Sequence, residues 1–382
     1  MVRGTKTPPA CMKKYSFPLF CASWASHRIS QGEEKEDDNN NENTNKREDY
    51  LILGGGGGGG RTGVKNALAL ARYDVESDVL SESVHLFDTD DDPPYRMAVH
   101  PVEEIIICAF SNGCRGFKLN SLGGSAVENV RINPADRSLN QIENMGQQKS
   151  IVFSTNGAMF AAGGEDGHLR VFEWSTLNSV LDKREAHKSI KDLDFSPDDT
   201  YLASLGDSGP CQIWNLSTCA SEATLLVDKG ESLGFCRFSR DRAKPLLFMT
   251  VKQGDKGLIT IWDMKTWKKV GTHAFEKNPI SAFNISSDGK FLAIGTSEGD
   301  ISIIEVSKMH PYRKVKGAHI IFVTSLEFSS DSRLLVSVSG DSSARVSRIE
   351  DQKQKAGSLL FLLITIILTI ILAFFIGKNR GF

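Results

Sequence analysis

The sequence has no closely spaced pair of cysteines. Its seven cysteines are scattered along the chain, and none belongs to a CxxC pair. No cluster of cysteine and histidine has the spacing of zinc ligands either. We therefore expect free thiols in a reducing compartment, most of them buried as small apolar side chains, rather than a disulfide framework or a structural metal.

A charge excess of one sign and catalytic motifs are also missing. The 45 lysines and arginines nearly balance the 47 aspartates and glutamates, which gives a formal net charge of −2. The overall charge therefore indicates no nucleic-acid partner. There is no GxSxG nucleophile motif and no pair of acidic residues placed for hydrolysis. We expect a protein with no bond-making chemistry of its own rather than an enzyme.

The first residues lack the apolar run of a secretory signal. Their most apolar stretch, residues 17–24 (FPLFCASW), is short and contains a proline. We therefore expect the body of the protein, residues 1–350, to be made in the cytosol and to stay there.

The C-terminal region is the only long apolar run. Residues 359–376 (LLFLLITIILTIILAFFI) are 18 consecutive residues without a charge. As a helix they would reach about 27 Å, close to the thickness of the hydrocarbon core of a bilayer. We predict a linker at 351–356, a membrane anchor at 357–377 and a short tail at 378–382 across the membrane. A glycolipid anchor would need a polar spacer before the apolar run, and none is present.

A repeated pattern, F-S-x-D/N-G, runs through most of the chain. Its phenylalanine stands at Phe153, Phe195, Phe238 and Phe328, and Asn284 takes the same place in a fifth unit. The intervals are 42, 43, 46 and 44 residues, close to the period of WD repeats. The sequence therefore predicts an all-β fold, a WD-type β-propeller followed by one transmembrane helix.

Each unit reads as strand, turn, strand, turn, strand. One unit places strands at 190–195 and 201–205 and a third strand that ends at Trp214, with polar turns between them. An earlier unit covers residues 95–119, and two further candidate strand sets lie at 15–24 and 50–74. These give six or seven blades, and seven close best if an N-terminal strand completes the last blade.

Histidines and acidic residues recur at fixed places in these units. His187 and His319 stand where many WD blades have a histidine, and Asp207 and Asp341 occupy one equivalent position. In such blades the histidine and the aspartate usually hydrogen-bond to each other. We interpret both histidines as structural. Residues 31–49 contain no apolar residue and are predicted to form a disordered, solvated surface loop.

Seven consecutive glycines at 54–60 open a segment that ends at Asn66. So many glycines are costly to order, so the chain needs unusual dihedrals or close backbone approach there. Three interpretations compete. The segment fits a phosphate-binding loop with Arg61 in place of the lysine, but the next residues read as a strand and not as the helix that such a loop requires. The other two are a flexible hairpin and a protruding partner-contacting loop whose carbonyls hold a hard cation.

Together these motifs resemble the Sar GTPase exchange factors of the endoplasmic reticulum, the Sec-twelve type and its plant relatives. The resemblance covers nearly the whole chain. It is carried by FPLFCASW (17–24), the glycine run followed by RTGVKNALALARYD (to 74), DPPYRMAVHP (92–101), GHLRVFEW (167–174), ISAFNISSDGKFLAIGTSEGD (280–300) and the C-terminal anchor.

The resemblance implies that residues 54–66 form a potassium-binding loop that engages the GTPase. The partner-binding residues it implies are Thr62, Gly63, Val64 and Asn66, and the glycines implied to hold potassium are Gly54, Gly55, Gly56, Gly57 and Gly58. Here Val64 would wedge against the switch regions of the GTPase while Asn66 hydrogen-bonds beside its phosphate site. The glycine run is longer than in the family and the lumenal tail is shorter than in yeast-type members.

The function that the resemblance implies is guanine-nucleotide exchange on the Sar small GTPase at the endoplasmic reticulum membrane, with the propeller cytosolic and the C-terminus lumenal. Exchange would start COPII vesicle formation and transport to the Golgi. The alternative is a propeller that has lost exchange activity and helps particular membrane cargo to leave the endoplasmic reticulum.

Overall fold

A computed structural model describes residues 9–28, 47–60, 62–121 and 130–349 of the chain. These residues form seven antiparallel sheets of four strands each. The first strand of each sheet contacts the first strand of the next, and the seventh sheet contacts the first. The ring is therefore closed, and the predicted seven-bladed β-propeller is confirmed.

The strands follow the chain in regular order around the ring. After β1 (Met12–Lys14), blade 1 consists of β2 (Leu19–Arg28), β3 (Arg47–Gly55), β4 (Ala67–Asp74) and β5 (Val79–Asp88). Blade 2 consists of β6 (Arg96–Val99), β7 (Ile105–Ala109), β8 (Cys114–Ser121) and β9 (Val130–Pro134). Blade 3 consists of β10 (Gln148–Phe153), β11 (Met159–Gly164), β12 (Leu169–Glu173) and β13 (Ser179–Lys183). Blades 4 and 5 consist of β14 (Ile190–Phe195), β15 (Tyr201–Gly206), β16 (Cys211–Asn215), β17 (Ala220–Leu225); β18 (Glu231–Phe238), β19 (Leu246–Gln253), β20 (Lys256–Asp263), β21 (Lys268–Glu276). Blades 6 and 7 consist of β22 (Ile280–Ile285), β23 (Phe291–Thr296), β24 (Ile301–Glu305), β25 (His310–Val315); β26 (Val323–Phe328), β27 (Leu334–Ser339), β28 (Ser343–Arg348) and β1.

The N-terminal strand closes the ring as expected. β1 pairs with β28 in antiparallel register, with Met12 opposite Arg345 and Lys14 opposite Ser343. The nitrogen of Val346 also donates to the carbonyl of Cys11 over 2.9 Å. Blade 7 is thus built from both ends of the propeller, and β28 is not left as an open edge.

The front of the chain forms a single blade. The two candidate strand sets at 15–24 and 50–74 belong to one sheet, blade 1, because β2 pairs with β3 over nine residue pairs. The repeat pattern is absent there, so only the pairing shows that they share a blade. The predicted disordered loop also ends too late, since residues 47–49 belong to β3, and its residues 31–46 lie outside the described residues.

The core lies between the blades. Strands in the middle of a blade are apolar on both faces because each face packs against a neighbouring blade. β7 is buried at all five positions and β27 at all six. The seven cysteines are free, and all but Cys219 are buried. Burial raises the pKa of Cys21 to about 12, so this thiol stays protonated and unreactive, in agreement with the sequence-based expectation.

The recurring histidines make their contacts inside their blades. His319 lies 2.6 Å from the hydroxyl of Ser343, which itself donates to Asp341. Its Nδ1 is 3.9 Å from the carboxylate of Asp341, so a serine bridges the expected pair. In blade 4 the pairing is different. His187 bonds to Ser204 over 2.7 Å, while the acidic residue of that blade pairs with a lysine of blade 3.

The connections of each antiparallel blade alternate between two faces of the ring. The connection from the second to the third strand lies on the same face as the connection that leads to the next blade. We call this the glycine face, because residues 56–66, between β3 and β4, lie on it. β28 runs away from the glycine face and ends at Arg348 on the opposite face.

The predicted anchor falls outside the part of the chain that the structure describes. The chain divides into two compact units, Met1–Ser347 and Arg348–Phe382. Residues 351–356, 357–377 and 378–382 belong to the second unit and are not described. Within residues 9–28, 47–60, 62–121 and 130–349, no helix has the length and apolar character needed to cross a membrane, and the helix α1 (Asn140–Glu143) has four residues.

Candidate functional site: the glycine loop

The glycine run begins inside a strand. Gly54 pairs with Leu68 and Gly55 with Ala67, so both belong to β3. A Cβ on Gly54 would lie 2.8 Å from the sulfur of Cys21, and one on Gly55 would collide with the carbonyl of Pro18. These two glycines are therefore needed for close packing against β2 and the segment before it. The loop proper covers residues 56–66, two residues shorter than predicted.

The base of the loop is closed tightly. The nitrogen of Gly56 donates to the carbonyl of Pro18 over 3.0 Å. A side chain on Gly56 would collide with the amide of Asn66, and one on Gly57 would collide with the hydroxyl of Thr62. The two arms of the loop thus approach each other more closely than residues with a Cβ would allow.

The buried side chain of Asn66 fixes the loop through hydrogen bonds. Its side chain is 3% exposed. Its Oδ1 accepts from the nitrogen of Gly58 over 3.0 Å, and its Nδ2 donates to the carbonyls of Gly58 and Asp90 over 3.2 and 2.9 Å. Its own carbonyl accepts from the nitrogen of Thr89. Asn66 therefore links both arms of the loop to the connection between blades 1 and 2.

The tip of the loop is open to solvent. Gly59, Gly60, Thr62 and Gly63 are exposed, and Arg61 lies outside the described residues. Gly58 and Gly63 have φ values of +86° and +72°, with open space where a Cβ would lie, so glycine serves their conformation and not their packing. Val64 is half-buried and packs against the core of blades 7 and 1. Of the predicted partner-binding residues, Thr62 and Gly63 are thus presented most directly.

The phosphate-binding interpretation does not fit this geometry. Such a loop opens a helix after a parallel strand. Here β3 and β4 are antiparallel, and residue 67 begins a strand. No helix N-terminus is therefore available at this loop to bind phosphate.

The oxygen atoms of the loop are of the kind that a hard cation prefers. The carbonyl of Val64 would lie 2.9 Å from a Cβ on Gly57, and the hydroxyl of Thr62 is close to the same point. The hydroxyl of Thr89 is buried, and no atom of the described residues hydrogen-bonds to it. Carbonyl and hydroxyl oxygens suit potassium, so the donor chemistry fits the implied ion.

A second feature, the central channel, was not singled out by the sequence. The inner strands enclose a cavity of about 1120 Å³. Charged side chains cross its wall from blade to blade: Arg237 pairs with Asp192 over 2.6 Å and donates to Asn284, which donates to Glu327 over 2.8 Å. Burial raises the pKa of Glu327 to about 7, although Arg237 and Asn284 act to lower it. The sequence did not predict this network, because its members lie in separate repeats and no motif indicates that they meet in the channel.

The repeat pattern matches a known family. The family described as "WD domain, G-beta repeat" matches residues 145–173, 178–215 and 311–346. These segments cover strands of blades 3, 4, 6 and 7. Blades 1 and 2, which include the glycine loop, lie outside the matched segments.

Whole-chain relatives point to a narrower group. The SEC12-like protein 2 of Arabidopsis thaliana is 41% identical over 300 residues, which cover 78% of this chain and 75% of that protein. The SEC12-like protein 1 of the same plant is 35% identical over 273 residues, 71% of this chain and 67% of that protein. The guanine nucleotide-exchange factor SEC12 of Mus musculus is 28% identical over 196 residues, 47% of each chain.

Proposed function

The chain belongs to the family of the SEC12-like proteins, and on that premise we propose that it is a guanine-nucleotide exchange factor for a Sar-type small GTPase. A relative in mouse carries exchange activity in its name. The observation that carries the proposal is the glycine loop, whose open tip is held on a rigid blade by Asn66. The chain would then act as a regulator of the GTPase and not as an enzyme with its own bond chemistry.

The exchange needs only a difference in binding. A protein that binds the nucleotide-free GTPase more tightly than the nucleotide-bound form weakens nucleotide binding by the same factor. In the proposed complex the exposed Thr62 and Gly63 contact the GTPase and Val64 supports them from the core side. We assign Asn66 a positioning role, because both atoms of its amide are already engaged within the propeller.

Potassium, where bound, would be held by oxygens of the loop. Within the loop the candidates are the carbonyls of residues 56–58, the hydroxyl of Thr62 and the carbonyl of Val64, whereas Gly54 and Gly55 belong to β3 and would contribute carbonyls only from the end of that strand. Such an ion would fix the direction of the loop carbonyls. The presentation of Thr62 and Gly63 would then depend on the monovalent cation.

We place the proposed activity at the endoplasmic reticulum membrane, through an anchor at 357–377. The activated GTPase would then begin COPII coat assembly at that membrane. The alternative, an exchange-inactive propeller that aids the exit of membrane cargo, is kept because the names of the two plant relatives mention no exchange.

The rate of nucleotide release tests the proposed exchange activity directly. The full chain is reconstituted in liposomes and added to the plant Sar GTPase loaded with a fluorescent GDP, with GTP in excess. We expect release to accelerate at least about ten-fold, a barrier change of about 1.4 kcal/mol. An unchanged release rate at saturating propeller would sink the exchange proposal and favour the cargo alternative.

A further inference from the structure

Three consecutive apolar residues protrude from the glycine face. Ile320, Ile321 and Phe322 are 71%, 39% and 46% exposed, and they lie in the connection from blade 6 to blade 7. We call them the apolar triplet. Large apolar side chains exposed side by side gain nothing for the fold, and such patches commonly mark binding surfaces.

The backbone beneath the triplet is held firmly. The nitrogen of Ile320 donates to Asp341 over 2.7 Å, and the hydroxyl of Ser339 donates to the carbonyl of Phe322 over 2.9 Å. The preceding nitrogen, that of His319, donates to the carbonyl of Gly299 over 3.0 Å. The three side chains are therefore presented on a fixed support. A preorganised apolar contact loses little entropy on binding, which is the property of a binding hot spot.

The triplet is connected to the glycine loop through a series of contacts on the same face. The side chains of Ile321 and Phe322 approach Gly340, at 3.2 and 3.5 Å from a Cβ placed there. In the same turn the carbonyl of Ser342 accepts from the nitrogen of Tyr15 over 2.8 Å. The segment 15–18 then leads to Pro18, whose carbonyl binds the nitrogen of Gly56.

We propose that the apolar triplet is a second docking site for the same GTPase that the glycine loop engages, a proposal that rests on the proposed function. Blades 7 and 1 are neighbours in the ring, so one globular partner can cover both elements. The triplet would supply affinity through apolar burial, and the glycine loop would supply the exchange step.

Binding and exchange are measured separately to test this. The full chain in liposomes is compared with the double variant Ile320→Ser/Phe322→Ser, using nucleotide-free GTPase for affinity and fluorescent GDP for release. We expect the Kd and the half-saturating concentration of propeller to rise at least about ten-fold, the change that 1.4 kcal/mol of lost apolar contact produces. The maximal release rate should stay within about two-fold of the unaltered protein.

Matched variants separate docking from folding. Leu226→Ser removes one apolar residue that is 69% exposed on the same face, between blades 4 and 5, and should leave the Kd unchanged. Ile320→Leu/Phe322→Leu keeps the apolar surface and should restore binding. If the serine variant does not fold, Ile320→Lys alters one exposed position and takes its place.

The remaining outcomes each contradict one proposal. Wild-type affinity in the serine variant would overturn the docking site. So would a loss confined to liposome binding or to self-association measured by light scattering. Tight binding of the GTPase by the unaltered protein without any acceleration of release would instead refute the exchange function, and the docking site would still be judged by the Kd of the variants.

Discussion

Asn66 is the residue on which the geometry of the glycine loop depends most. Its amide spans the gap between Gly58 in one arm of the loop and Asp90 in the next connection. Asn66→Ala removes three part-buried hydrogen bonds to the backbone of Gly58 and Asp90, so we expect the free energy of unfolding to fall by about 1–3 kcal/mol. Exchange should fall by about ten-fold or more because the tip loses its position. Thermal unfolding and fluorescent GDP release measure the two effects.

Asn156→Ala is the control for this prediction. Asn156 braces a tight turn on the opposite face, where its Oδ1 accepts from the nitrogen of Ala158 over 2.7 Å. Its loss should lower stability slightly and leave exchange unchanged. Equal exchange by the Asn66→Ala and unaltered proteins would show that the loop position does not matter to the activity.

A substitution of Gly56 tests whether the loop needs glycine for the close approach of its two arms or only for backbone flexibility. A methyl group at Gly56 would collide with the amide of Asn66, so Gly56→Ala must displace that amide. We expect at least about a ten-fold loss of exchange. Gly254→Ala is the matched control, since Gly254 has a φ of +59° with open space around it and loses only about 1–2 kcal/mol of backbone stability. Similar exchange in both variants would favour the flexible-hairpin interpretation.

At the scale of an element, the closure of the ring depends on the short strand β1. Three residues close the ring by pairing with β28. In Met12→Pro/Lys13→Pro at least one nitrogen that faces β28 is lost, since alternate residues of an antiparallel pair bond to the partner strand. We expect the melting temperature to fall by roughly 5–10 °C and the protein to self-associate through the exposed edge.

Met12→Ala/Lys13→Ala keeps both backbone nitrogens and serves as the control. It should melt within about 2 °C of the unaltered protein, because the ladder is intact. Calorimetry and size-exclusion chromatography provide the readouts. A proline variant that melts like the alanine variant would mean that β1 contributes no stability to blade 7.

The sequence predicted elements well wherever the repeat pattern is regular. The strands predicted at 190–195 and 201–205 match β14 and β15 within one residue. The strands of blade 1 were predicted only as two candidate strand sets, because these long strands lack the repeated phenylalanine. The position of Asn66 was also beyond prediction, since its bond to Asp90 joins residues 24 positions apart in two different connections. The repeat pattern says nothing about the apolar triplet, whose exposure is known only from the fold.

At the scale of the whole molecule, charged and polar side chains that line the central channel connect four blades. Asp192, Arg237, Asn284 and Glu327 come from four successive inner strands and form one hydrogen-bonded chain. None of these residues belongs to the glycine loop. The chain therefore concerns the stability of the ring and not the proposed exchange step.

Glu327 gives this network a definite dependence on pH. Burial raises its pKa to about 7 in the folded protein, whereas an unfolded glutamate titrates near 4.3. Between these values the folded state holds the proton and the unfolded state does not, so stability is greatest at the low end and falls as the pH rises toward 7.

Glu327→Gln cannot ionise, yet its amide oxygen can still accept from Asn284. We expect this variant to be more stable than the unaltered protein at pH 7.5, by about 1–2 kcal/mol, and equally stable near pH 5. Denaturant unfolding at both pH values measures the difference, with the exposed Glu298→Gln as the control. A constant difference at the two pH values would show that ionisation of Glu327 does not contribute.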